Sequence, residues 1–233
     1  MSKGKTPKGK GILTSIQRDF LKTFANLPDQ EQFYLTGGTA LAEFFLGHRV
    51  SLDLDFFTAE EPLIVPFSRR LERDYAHSGW EVKVTRRFTS YVEFVLKKGG
   101  DELRVDLALD SPFRFGSPFL SGYGVWVNDY EDLIVDKVLA YYGRAEPRDA
   151  VDLYFILQKE ALGRLLPLAG RKDPGFDLYW FAIALNRAGD FPDEPERWPV
   201  RMLVDFDPVE LKRSFREMAI NLMMKITEGG GDV

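Results

Sequence analysis

Residues 34–57 read YLTGGTALAEFFLGHRVSLDLDFF, and this stretch decides what kind of fold the chain adopts. It falls into three parts. Gly37 and Gly38 come first, then a helical pattern through Thr39, Ala40, Leu41, Ala42, Phe44 and Phe45, then an alternating segment with Asp53 and Asp55. Successive strand side chains point to opposite faces, so the alternation predicts Asp53 and Asp55 on one face and Leu52, Leu54 and Phe56 in the core. Two neighbouring carboxylates repel, and each resists ionisation beside the other. A divalent cation between them removes the conflict, and an all-oxygen ligand set suits Mg²⁺ or Mn²⁺. Glycines at a helix start admit a ligand close to the backbone, where free N–H groups favour phosphate. Gly37, Gly38 and Thr39 are therefore candidates for seating phosphates. Arg49 and Ser51, just ahead of the strand, are placed to reach phosphate oxygens. Taken singly, a Gly-Gly is an ordinary turn and an Asp-x-Asp an ordinary solvated strand. Together, in this order, they point to a metal-bound nucleoside triphosphate.

Further along, WEVKVTRR (80–87), YVEFVLK (91–97) and ELRVDLAL (102–109) read as three strands separated by turns. In the last of them Leu103, Val105, Leu107 and Leu109 share one face, while Arg104, Asp106 and Ala108 share the other. Asp106 is thus predicted on a polar strand face, as Asp53 and Asp55 are.

The run GGTALAEFFLGHRVSLDLDFF resembles the signature of the AbiEii/AbiGii-type nucleotidyltransferases, a branch of the DNA polymerase β-like superfamily. The spacing from Gly38 to Asp53 is longer than the superfamily's usual form, and the His-Arg-x-Ser-x-Asp-Leu-Asp insert is what this branch looks like. The resemblance covers roughly residues 30–157 and implies an α+β fold: a nucleotidyltransferase-type mixed β-sheet with packing helices, followed by a C-terminal helical bundle. It implies that Asp106 is the third metal-binding carboxylate beside Asp53 and Asp55. It also implies that Lys137 contacts phosphate, and that Arg148, Asp149 and Asp152 complete or brace the site. Biologically, it implies Mg²⁺-dependent transfer from a nucleoside triphosphate to an acceptor hydroxyl such as a tRNA 3′ end, by a toxin with a cognate antitoxin. Two other readings stay open: transfer to a protein or small-molecule hydroxyl, and a catalytically silent nucleotide- or RNA-binding module.

The residues around Lys137 carry a reading of their own. EDLIVDKVLAYYGRAEPRDAVDLYFILQ (131–158) predicts two helices, with Lys137 on the apolar stripe of Leu133 and Tyr141. An ammonium there needs an anion, either a triphosphate or a neighbouring carboxylate. Pro147 suits a first helical turn, where Asp149 is also an ordinary partner of the helix dipole.

Composition sets outer bounds. At 233 residues, with 45% hydrophobic content and 19 Phe, the chain has ample material for a core. Its formal net charge of −5 gives no global basic field, so any nucleic-acid partner needs a local patch. The absence of cysteine excludes disulfides, thiol catalysis and zinc-thiolate sites, and is compatible with a cytoplasmic protein. No apolar run is long enough to span a membrane. There is no GxxxxGK[ST] motif, and with two histidines no Ser-His-Asp logic; His48 reads as structural, holding a helix end.

The domain reading is a flexible basic arm over 1–11, a nucleotidyltransferase domain over 12–128 and a helical domain over 129–233. A packing helix is predicted over 12–26 with Ile12, Ile16, Phe20 and Phe24 inward. An amphipathic helix is predicted over 66–77 with Pro66 at its start and Arg69, Arg70 and Arg73 facing solvent or a polyanion. Residues 111–128 read as a loop with one short strand near 125–127. Asp173 and Pro174 read as the start of one later helix. Asp207 and Pro208 read as the start of another, with Leu211, Phe215, Met218, Leu222 and Ile226 inward, and Gly229–Gly231 ends it.

Overall fold

The computed structural model describes residues 7–111 and 113–229. They form two compact units, Met1–Leu133 and Ile134–Val233. In chain order the elements are α1 (Ser15–Phe24), β1 (Tyr34–Thr36), α2 (Gly37–Leu41), β2 (Arg49–Val50), β3 (Leu54–Thr58), α3 (Glu61–His77), β4 (Glu81–Arg87), β5 (Tyr91–Lys98), β6 (Asp101–Leu109), β7 (Phe119–Leu120), β8 (Trp126–Val127), α4 (Tyr130–Arg144), α5 (Pro147–Leu157), α6 (Leu162–Lys172), α7 (Leu178–Asn186), β9 (Arg201–Met202) and α8 (Pro208–Gly229). No helix among the described residues is long and apolar enough to cross a membrane.

The first unit is built on a seven-stranded mixed sheet in the order β4-β5-β6-β3-β1-β8-β7. β3 runs parallel to β6 and antiparallel to β1, and β1 runs parallel to β8. The alternation read from the sequence is what sets the two faces. Leu54, Phe56, Val92, Phe94, Leu96, Leu103, Val105 and Leu107 are buried on one side. Helices α1 and α3 cover that side. Phe24 stacks on Phe56 with ring centroids 4.1 Å apart, and Phe20 stacks on Tyr75 at 4.6 Å. Burial of these rings, with the aliphatic residues around them, stabilises the unit.

Local signals set most helix ends. Thr14 and Gln17 form a capping box at the start of α1, each side chain bonding the other's backbone N–H, so the helix begins later than expected and Ile12 lies ahead of it. Pro66 does not start α3. The helix begins at Glu61 with Pro62 in its first turn, and Pro66 lies inside it. Buried Ile64, Phe67, Leu71 and Tyr75 anchor the helix strongly enough to override the cost of that proline. Arg69 is exposed, while Arg70 and Arg73 pair locally with Asp29 and Asp74, which is the solvent-facing arrangement. Residues 111–128 hold two short strands, β7 and β8, rather than one.

Two core expectations are also corrected. Leu52 is 67% exposed, because β3 begins only at Leu54, where pairing with Val105 begins. Leu109 is 37% exposed, because it is the last residue of β6. Of the expected basic arm, residues 1–6 lie outside the described residues. Residues 10–13 are tied to Glu43: Lys10 N–H donates to its carbonyl (2.8 Å), and Gly11, Ile12 and Leu13 N–H donate to its buried carboxylate. Tyr123 Oη donates to the same carboxylate at 2.8 Å.

The second unit is helical. Tyr141 of α4 meets Phe215 of α8 edge-on at 5.3 Å, and α7 packs along α8. Asp207 caps α8 as expected, accepting from Val209 N–H and Glu210 N–H, and Leu211, Phe215 and Leu222 face inward. Asp173 does not cap α7. Asp177 does, accepting from Trp180 N–H at 3.0 Å, while Asp173 closes the end of α6 and accepts from Gly175 N–H. The expected Gly230 and Gly231 end of α8 lies outside the described residues.

Candidate active site

Register places the key carboxylates. Asp55 on β3 stands directly opposite Asp106 on β6, Thr36 flanks Asp55 on β1, and Glu93 on β5 flanks Asp106. One row across four strands therefore reads Thr36, Asp55, Asp106, Glu93, all on the face away from the aromatic core. Asp53 lies one residue ahead of β3, so its direction is not set by the pleat of that strand. Among the described residues, no three of His, Cys, Asp or Glu converge closely enough to cage an ion. The preformed feature is the Asp55–Asp106 pair.

The glycines stand against this row. Gly37 has φ +67°, and a Cβ there would collide with the Asp55 carboxylate. A Cβ on Gly38 would collide with the Arg49 guanidinium and crowd Ser51 Oγ at 3.1 Å. The backbone at the start of α2 thus has Asp55 on one side and Arg49 and Ser51 on the other, an approach only glycine permits. Thr39 Oγ1 donates to the carbonyl of Asp53 at 2.5 Å. Directly after α2 the helix widens into a π-turn over Ala42–Leu46, a form found often at functional sites. Gly47 (φ +73°) ends it, and His48 is buried just beyond.

Three residues that sequence reasoning passed over complete the setting. Gln17, fully buried in α1, donates through Nε2 to the carbonyls of Ser51 (2.9 Å) and Leu52 (3.1 Å). With Thr39 it fixes the loop that carries Ser51 into Asp53. The T-x-x-Q capping box was the available sign that Gln17 is oriented. The other two are Glu93 and Arg104. Arg104 Nη2 donates to Glu93 Oε2 at 2.9 Å, and Arg104 Nε lies 3.5 Å from Asp106 Oδ1. The strand alternation of YVEFVLK is the available sign that Glu93 faces away from the core, and only the β5–β6 register puts it beside Asp106.

Burial pushes the Asp106 carboxyl above the usual range, and the neighbouring Arg104 and Tyr91 offset this only in part. Its Oδ1 is buried and accepts no hydrogen bond. A buried carboxylate oxygen without a donor, beside a second carboxylate, fits a divalent cation.

Lys137 lies in the second unit and meets two carboxylates, Asp152 at 2.7 Å and Asp149 at 3.2 Å. Asp149 also accepts two hydrogen bonds from Arg144. Burial opposes ionisation of Asp149, yet the Arg144 guanidinium and the Lys137 ammonium hold its carboxyl below the usual range. Arg148 is exposed and lies 3.8 Å from Glu146.

The model of a known family, the AbiEii nucleotidyl transferase toxin of type IV toxin–antitoxin systems, matches residues 19–219. The chain belongs to the AbiEii family. An uncharacterised protein of Aquifex aeolicus (strain VF5) is 28% identical to it over 186 residues, 79% of this chain and 85% of that protein. Among solved structures, an H. pylori protein assigned as a nucleotidyltransferase superposes with a TM-score of 0.60 at 19% identity, covering 91% of this chain and 93% of that one. MenT4, a nucleotidyltransferase toxin of Mycobacterium tuberculosis H37Rv, gives 0.53 at 15% identity over 89% and 82% of the two chains. The mixed sheet with packing helices is the nucleotidyltransferase fold, and this AbiEii-family chain is a nucleotidyltransferase.

Proposed function

We propose that the enzyme transfers a nucleoside monophosphate from a magnesium-bound nucleoside triphosphate to an acceptor hydroxyl, with a tRNA 3′ end as acceptor, and that a cognate antitoxin restrains it. The observation that carries the reading is the Asp55–Asp106 pair set against the start of α2, with Asp106 Oδ1 lacking a donor. Asp55 and Asp106, with Asp53 close to Asp55 in sequence, would hold the cation. Mg²⁺ or Mn²⁺ there supplies charge neutralisation for the triphosphate and lowers the pKa of the attacking hydroxyl. The backbone of Gly37 and Gly38, with Thr39, seats the terminal phosphates, and Arg49 and Ser51 bind their oxygens. The acceptor oxygen attacks the α-phosphorus in line, the bond to the bridging oxygen breaks, and pyrophosphate leaves. Asp106 receives the hydroxyl proton. Lys137, Asp149 and Asp152, with Arg144, stabilise the second unit as a buried ion cluster.

The test is incubation with Mg²⁺, each of four α-labelled nucleoside triphosphates and total tRNA, beside Asp53→Ala. Removing one well-placed charged group commonly costs on the order of 10²–10³ in rate, so the variant should be silent while its thermal transition stays put. Label on tRNA with wild type alone supports the reading. Label on protein alone replaces tRNA as acceptor, and wild-type turnover by Asp53→Ala removes the assignment.

A further inference from the structure

Arg104 occupies a position that the transfer reaction does not explain. It is two residues before Asp106 on β6, so both side chains leave the same face of the sheet. The side chain is 47% exposed and can move without disturbing the core. It lies between two carboxylates on unequal terms. To Glu93 it makes a hydrogen bond of 2.9 Å; toward Asp106 it comes only to 3.5 Å, and the Asp106 oxygen it approaches accepts no hydrogen bond. Glu93 is itself fixed, since Tyr91 Oη donates to its Oε2 at 3.1 Å and Thr85 Oγ1 to its Oε1 at 2.6 Å.

The guanidinium thus has a firm anchor on one side and a loose electrostatic tie on the other. A divalent cation arriving at Asp106 repels the guanidinium and competes for the same oxygen, while Glu93 stays available to keep it. We infer that Arg104 is the resident counter-ion of Asp106, withdrawn onto Glu93 when a divalent cation binds, so that the Arg104–Glu93 pair sets the cation affinity of the Asp55–Asp106 site. This rests on the proposed role of Asp106 as a cation ligand. In the cation-free protein Arg104 offsets the charge of two adjacent carboxylates, and the site remains intact while empty.

The test is Mn²⁺ binding to the full chain without nucleotide, followed by electron paramagnetic resonance and calorimetry. Wild type should bind and Asp106→Asn should not; if Asp106→Asn binds as wild type does, the cation role of Asp106 fails and the inference with it. Given that role, Arg104→Met should bind Mn²⁺ about two- to fivefold tighter, the scale of one partly exposed ion pair. Arg104→Gln should show the same sign and serves if the Met variant is poorly soluble. Glu93→Gln should weaken binding in the wild-type background and have no effect in the Arg104→Met background, because Glu93 acts through Arg104. Unchanged or weaker binding in both Arg104 variants overturns the inference. So does an equal Glu93→Gln loss in both backgrounds, which would make Glu93 a plain contributor of charge.

Discussion

Gly37 lacks a side chain because Asp55 fills the space one would need. The relationship joins the glycine turn and the aspartate strand through a single steric fact. Because β1 ends at Thr36, whose register partner is Asp55, the chain must turn into α2 directly beside that carboxylate.

Gly37→Ala should therefore damage activity more than stability. The positive φ alone costs on the order of 1 kcal/mol. Displacing Asp55 by even ~1 Å is expected to cost about 10²-fold in turnover. Gly79→Ala is the control, since Gly79 has φ +80° with open space around it. It should show a comparable fall in melting temperature and wild-type turnover. Equal activity in the two variants would remove the steric argument.

Gln17→Leu tests the loop that leads to Asp53. The substitution keeps the volume of a buried side chain but deletes its bonds to the Ser51 and Leu52 carbonyls. Leaving both carbonyls without that donor costs about 1–3 kcal/mol. Turnover should drop at saturating nucleotide, because the loop that orients Ser51 and Asp53 loses its tether. Kinetics and a urea melt on the same preparation separate the two effects.

Asp149 gives the stability curve a defined acid limb. Its folded carboxyl titrates below its unfolded value, so the contribution is present above the unfolded value and lost as pH falls through the folded one. Asp149→Asn should destabilise the protein by roughly 3 kcal/mol at neutral pH, because Lys137 and Arg144 lose a buried partner. The gap to wild type should narrow below about pH 4, near the unfolded carboxyl value. Melting curves from pH 3 to pH 7 check the sign, and a constant gap would exclude the ion cluster as the cause.

Glu43→Ala should release the segment ahead of α1. Three consecutive N–H groups, of Gly11, Ile12 and Leu13, would lose their acceptor, and Tyr123 would lose its own. A loss of about 2 kcal/mol or more is expected, with new protease cleavage ahead of Ser15. Unaltered cleavage there would show that other contacts hold the segment.

The strands β4, β5 and β6 were legible because turns separate them and β5 and β6 alternate in burial, whereas β4 is largely exposed and its register shifts between Val84 and Arg86. The same alternation misplaced Leu52, since a strand extends only as far as its pairing does, and the pairing of β3 with β6 starts at Leu54. The proline at position 66 was read by local propensity, which buried Ile64 and Phe67 override. Asp173 and Asp177 are both plausible caps by composition; the ring pair Phe176–Phe181, 5.4 Å apart, accompanies the choice of Asp177. For the site, the positions of Asp55 and Asp106 followed from strand parity and a family resemblance. The roles of Glu93, Arg104 and Gln17 did not, because each depends on a contact across the sheet or between elements. For Lys137 the fold adds two carboxylates within ion-pair distance, Asp152 and Asp149, which the helical spacing alone did not single out.

The parallel pairing of β3 with β6 has a consequence for when the enzyme becomes an enzyme. Asp55 and Asp106 are separated along the chain by α3, β4 and β5, and they become neighbours only once that whole excursion has folded back. Contacts of such long sequence separation form slowly, because loop closure precedes any gain from the contact. On the proposed site, a copy whose sheet has not yet closed lacks the Asp55–Asp106 pair and is expected to be inactive. On that reading, activity waits for closure of the sheet rather than for synthesis of the chain.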